Sequence, residues 1–225
     1  IAALTTAHVG GLSTTQLSGL STTNLRALDQ TQFGQLSTTQ VKALSATQIG
    51  ALEATDIAEM SNVQLEALTT AQVSALTSTN VASLADTQIA AFNTTQIGRL
   101  TNVVVHALDA TQLGTLSSTQ VQAFTTSQIA SLDQTDLDEF TTTQMASLTT
   151  SQVRALTTTV IDAISANAIT AFDVTQLAQL SATQIDHLST TNLSALSSTQ
   201  LQSFTPSQVT GFDDAAVLHE EPRPP

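Results

Sequence analysis

Leu36-Ser37-Thr38-Thr39-Gln40-Val41-Lys42-Ala43 is followed at once by Leu44, and the same eight-residue pattern begins again. From Leu4 to Phe212 a large apolar residue recurs at every eighth position without a slip, through Leu12, Leu20, Leu28, Leu52, Met60 and Leu68 to Phe204. A second apolar residue stands five positions after each, from Val9, Leu17 and Leu25 to Val209 and Val217. The consensus Leu-Ser-Thr-Thr-Gln-Val-x-Ala repeats twenty-seven times in 225 residues. A strict short period predicts a solenoid, in which a unit is held by its neighbours and cannot fold alone.

With the Leu as position 1, position 2 is Ser, Thr, Asp or Asn in every octad except at Glu53 and Ala85. These side chains accept from free N–H groups at a helix start. Position 5 is Gln in seventeen octads, Gln16, Gln32, Gln40 and Gln48 among them. Ser/Thr-x-x-Gln is a capping box, in which each residue's side chain satisfies the other's backbone N–H. Pro206 follows Thr205, and proline is welcome at a first helical position. One helix per octad is therefore expected, starting after position 2 and running to the next position 1, roughly two turns long. Positions 6 and 1 of the next octad lie three apart and share a face. Isolated helices of this length are unstable in water, so stacking must hold them. The alternative is a β-solenoid, since Thr, Val and Ile favour strands. Against it, the apolar positions do not alternate with period two, and the capping boxes would be accidental.

A longer rhythm overlies the octad. Position 7 is Gly, Ala or Ser in ten of thirteen octads of one alternate set, which includes Ser18, Gly34, Gly50 and Gly98, and in four of thirteen of the other, which includes Arg26, Lys42, His106 and Gln122. Phe92, Phe124, Phe140, Phe172 and Phe204 are separated by multiples of sixteen; Phe212 breaks phase. The simplest geometry is two octads, sixteen residues, per coil, with the Gly-bearing side closely approached by another backbone. The fold expected is thus an all-α solenoid over residues 1–217, followed by a Pro-rich tail or linker at 218–225.

Composition excludes several functions. The formal charge is -13, which disfavours nucleic acid and anionic lipid as partners. There is no Cys, so disulfides and thiolate metal sites are out. No apolar run approaches the roughly 20 residues of a membrane helix, and no signal peptide is visible. Ile1-Ala2-Ala3 fits the last three positions of an octad, which reads as a piece or processed product of a longer array.

His8, His106, His187 and His219 are far apart in sequence and read as solvent-facing substitutions. Asp133, Asp136, Asp138 and Glu139 carry the oxygen ligands calcium prefers. They lack the Gly-bearing spacing of a loop site, and the register places them on a helix, so they read as an acidic solvated face. No Ser stands in a nucleophile elbow, and no Gly-rich phosphate loop occurs. No catalytic, cofactor or metal residue is assigned, and no enzyme activity is expected. Position 4 is Thr in eighteen octads, such as Thr15, Thr23 and Thr39, a ladder whose hydroxyls are expected to bond within and between coils. A flat Thr surface that orders water or binds ice, or that carries glycan, is the functional alternative.

Leu36–Leu44 and Leu148-Thr-Thr-Ser-Gln-Val153-Arg-Ala-Leu156 resemble octad arrays of very large secreted bacterial proteins, often labelled adhesins or haem-utilisation-or-adhesion proteins. The resemblance spans residues 1 to about 217. It implies export to the cell surface and a stalk, spacer or self-assembling fibre, and it carries no functional residues. A solenoid binding module for protein, glycan or ice is the alternative. Self-association by end-to-end stacking is the partner interaction expected, with a surface protein or glycan as a further one.

Overall fold

The computed structural model describes residues 3–210. Phe212, Val217, His219 and the Pro-rich tail at 218–225, singled out from the sequence, lie outside the described residues. The fold is an all-α solenoid. Among the described residues, twenty-six short helices, one per octad, run in chain order from α1 (Thr6–Gly10) to α26 (Pro206–Val209). No strand occurs among the described residues.

The helices begin where the capping boxes place them. At α5 (Thr38–Ala43), Gln40 N–H donates to Ser37 Oγ at 3.3 Å, and Ser37 N–H donates to Gln40 Oε1 at 2.8 Å. Pro206 stands at the start of α26, after the cap Thr205. At Ala85 the accepting side chain is missing, and only the Gln88 arm remains, taking Ala85 N–H at 2.8 Å.

The helices are shorter than two turns, at four to six residues. Position 1 has left the helix: Leu44 has φ -65°, ψ 140°. Ser45 after it is also extended, at φ -70°, ψ 157°, so the corner between α5 and α6 (Ala46–Gly50) is two extended residues. No described residue has a positive φ. These helices therefore end without the left-handed residue that commonly caps a C-terminus, and their last carbonyls must find donors elsewhere.

The coil contains three octads, not two. In the part up to Ala123, each of α1 to α12 packs chiefly on the helix three further along the chain: α1 on α4 (Gln30–Gly34), α2 (Thr14–Ser18) on α5, and so on to α12 (Thr94–Ile97) on α15 (Ser118–Gln122). The sixteen-residue rhythm is real, but an odd-sided coil gives it a different meaning. Octads of the two alternate sets do not occupy opposite sides; they alternate up each side. Three short segments also enclose an interior that can be filled by position 1 and position 6 of all three octads. Val41, Leu65, Ile97 and Leu113 are fully buried there.

The chain divides into two compact units, Ile1–Ala123 and Phe124–Pro225. The second unit repeats the arrangement, with α16 (Thr126–Ser131) on α19 (Thr150–Ala155) and α20 (Thr158–Ala163) on α23 (Ala182–Asp186). In it the rings of Phe124 and Phe140 stack with centroids 6.5 Å apart.

Candidate functional site: glutamine staples and outward rows

The most ordered polar feature is the row of position-5 glutamines. Gln72 Nε2 donates to the carbonyls of Val41 and Leu44, each at 2.7 Å. Gln48 does the same to Leu17 and Leu20 at 2.9 Å, and Gln96 to Leu65 and Leu68 at 2.9 Å. In the second unit Gln184 and Gln208 reach Leu156 and Leu180 at 2.7 Å. One amide thus does two jobs. Its oxygen completes the N-cap of its own helix, and its nitrogen caps the helix end one coil earlier. Buried polar groups require such partners, and Gln72, Gln96 and Gln112 are all 2% exposed or less. Sequence reasoning found the oxygen's role and missed the nitrogen's. The signal was available: an amide has two donors as well as an acceptor, and the capping box uses only the acceptor.

Asn serves at the same position. Asn80 Nδ2 reaches Leu52 O at 3.1 Å, and Asn192 reaches Ile164 O at 2.9 Å. His8 keeps only the local half, its Nδ1 accepting from Thr5 N–H at 3.2 Å. Val104, Val160 and Ala168 supply no side-chain donor and are simply buried.

Glycine marks close approach at two places. A Cβ on Gly50 would meet Ala75 O at 2.7 Å, and one on Gly98 would meet Ala123 O at 3.1 Å. The same side carries Ser74 Oγ, which donates to Arg99 O at 3.0 Å. Gly34 is different: nothing lies within 4 Å of its Cβ position. Among the described glycines of the Gly-bearing set, the expected close approach holds for Gly50 and Gly98 and not for Gly34 or Gly114.

The Thr ladder departs from expectation. The position-4 threonines are exposed, and among them only the Thr119 hydroxyl has a hydrogen-bond partner, Ser117 Oγ at 3.0 Å. Position 4 lies on the outer surface. The 24-residue coil sorts these residues into rows, one of which runs Thr15, Thr39, Val63, Thr87 and Thr111.

Charged groups are sparse. Arg26 pairs with Glu53 across a coil junction, both well exposed. His187 Nδ1 lies 3.0 Å from Asp162 Oδ1, a pair 25 residues apart that sequence spacing alone did not suggest. His106 is exposed at position 7. In the acidic cluster, Asp133 and Asp136 form a capping box, with Asp136 N–H to Asp133 Oδ1 at 3.1 Å and Asp133 N–H to Asp136 Oδ2 at 2.9 Å. Asp133 and Asp138 are exposed, but Asp136 is buried and Glu139 half-buried, so the cluster is not one solvated face. The reason is register: Asp136 holds the inward position that Gln holds elsewhere. Asp56 holds that position in the first unit, and burial pushes its carboxyl above the ordinary 3.8, against the hydrogen bond from Glu53 N–H. Glu59 is also raised, chiefly by desolvation and then by Asp56 and Asp29.

Residues 49–86 match the family model of the ALTTAQ repeat. Residues 67–72 spell those letters, ending on the staple Gln72. The comparison with curated proteins found no match. The family match and the periodic helices together identify a repeat protein. Among the described residues no helix is long and apolar enough to cross a membrane.

Proposed function

We propose that this chain is a non-catalytic structural array, a stalk, spacer or fibre segment exported to the bacterial cell surface. The observation that carries the reading is the staple row. The most regularly placed buried polar groups are consumed in joining one coil to the next, as at Gln72 with Val41 and Leu44. A device repeated along the chain supports a role in persistence of form. The outer surface is poor in charge, with charged residues only 10% of the sequence, and rich in hydroxyls. The resemblance of the octads to those of secreted adhesin-like proteins supports export. Self-association along the array axis belongs to the same reading. Force spectroscopy on concatenated arrays tests the mechanical role. A structural array unfolds in regular steps of constant length at forces above those of thermal fluctuation; a featureless, force-free extension would reject it. Protease shaving of intact cells, with the array degraded from outside, tests the location.

A second reading, a binding module for ice or glycan, is favoured by one feature, the exposed and unbonded hydroxyls of rows such as Thr15, Thr39, Thr87 and Thr111. Thermal hysteresis and a glycan array decide it.

A further inference from the structure

We propose that Asp56 is an acid-operated latch between consecutive coils: with a proton on its carboxyl it donates to the carbonyl of Leu28 and staples the junction, and without the proton that staple is open. The inference goes beyond the structural reading, since it assigns a condition-dependent strength to one junction.

The geometry comes from the other octads. A position-5 amide reaches the carbonyl 28 residues earlier, as in Gln72 to Leu44, Gln64 to Leu36 and Gln96 to Leu68. At Asp56 the corresponding carbonyl is Leu28. Ionised Asp is acceptor-only. Its one hydrogen bond is local, Glu53 N–H to Asp56 Oδ2 at 2.9 Å. Leu28 O receives no donor. Reach is not the obstacle, because Asn80 and Asn192 span the same gap at 3.1 and 2.9 Å with a side chain of equal length. A protonated Asp has the shape of Asn and, like it, offers both an acceptor and a donor.

The surroundings favour the proton. α7 (Ala54–Ala58) packs on α4 and on α10 (Ser78–Ala82). From α7 and its ends come Glu53 and Glu59, and from the cap of α4 comes Asp29; α10 brings no ionisable group. Among the described residues, the cation that acts on Asp56 is Arg26, which is engaged with Glu53. Burial outweighs it, so the Asp56 carboxyl titrates above 3.8. In the window between 3.8 and that raised value the folded state holds more proton than the unfolded state. Stability of the junction therefore rises as pH falls through that window, and is lost as pH rises.

The test is amide hydrogen exchange on the full chain at pH 7 and pH 4, corrected for the intrinsic rate, in wild type, D56N and D56Q. Wild-type protection over residues 26–34 and 53–60 is expected to rise on acidification, by less than about tenfold for each pH unit separating the folded value from 3.8, because Asp56 is only part-buried and pH 4 lies inside the window. D56N should hold the acid-level protection at both pH values, and D56Q likewise. The Gln64–Leu36 junction is the internal reference and should respond equally in all three proteins. If wild type and D56N share one pH response at the Asp56 junction, the latch does not exist. Should either variant fail to fold, the carboxyl carbon of Asp56 can be titrated by NMR in wild type. A midpoint at or below 3.8 would overturn the proposal, and one above it, with a downfield shift of the residue 28 carbonyl, would support it.

Discussion

The side-chain amide of Gln72 lies 2.7 Å from the carbonyl oxygen of Leu44, twenty-eight residues earlier in the chain. That bond runs between coils, from the start of α9 (Thr70–Val73) to the corner that follows α5. It also explains how helices with no left-handed residue at their ends remain satisfied: the donor comes from the next coil.

Gln72→Ala is therefore expected to cost about 2–4 kcal/mol. It removes the bonds to Val41, Leu44 and Thr69 N–H at roughly 0.5–1.5 kcal/mol each, and leaves buried carbonyls without donors. Gln72→Asn should recover much of the loss, since Asn80 makes the equivalent bond. Urea denaturation of the three proteins checks this. Equal stability of wild type and Gln72→Ala would mean that the staple contributes nothing.

The cap and the core are separable in energy. Ser117 accepts from Gln120 N–H at 3.3 Å and is exposed, whereas Leu116 is 3% exposed. Ser117→Ala should cost about 0.5–2 kcal/mol. Leu116→Ala should cost about 2–5 kcal/mol. Thermal or chemical denaturation that ranked them in the opposite order would contradict the register.

Two glycines in equivalent positions should respond with opposite sign. Gly34 ends α4 with open space at its Cβ position, so Gly34→Ala should stabilise by about 0.5–1 kcal/mol through the loss of unfolded-state freedom. Gly50 ends α6 with Ala75 O only 2.7 Å from the same point, so Gly50→Ala forces backbone apart and should destabilise by about 1–3 kcal/mol. Midpoints moving in the same direction would rule out the close approach at Gly50.

The contrast shows what the sequence could and could not convey. Helix starts were legible at Ser37, Ser117 and Pro206, because capping is local chemistry among residues two to three apart. Burial at positions 1 and 6 was legible from periodicity alone. The coil size was not, because the sixteen-residue alternation of Gly50-type and Ser74-type octads is compatible with coils of two or three. What settles it is the bond of Gln72 to Leu44, and no pairwise pattern along the chain encodes a partner 28 residues away. Burial of Asp136 was missed for the same reason. Its neighbours Asp133 and Asp138 suggested a charged face, while its position in the octad, shared with the glutamines, placed it inside.

The outward threonines provide the last test, because two roles predict different outcomes at one residue. Thr39 is exposed and its hydroxyl has no partner, so it contributes nothing to the junction between coils. Thr69 is equally exposed, but it accepts from Gln72 N–H at 3.3 Å. Thr69→Ala should therefore cost about 0.5–2 kcal/mol as a lost cap. Thr39→Ala should fall within about 0.5 kcal/mol of wild type, as surface changes usually do, and alanine's higher helix propensity favours a slight gain. Replacing Thr15, Thr39, Thr87 and Thr111 together by Ala strips one row without touching a cap or a staple. Denaturation midpoints should remain close to wild type, while any affinity of that row for ice or glycan should vanish. A large loss of stability in the fourfold variant would show instead that the row is part of the scaffold.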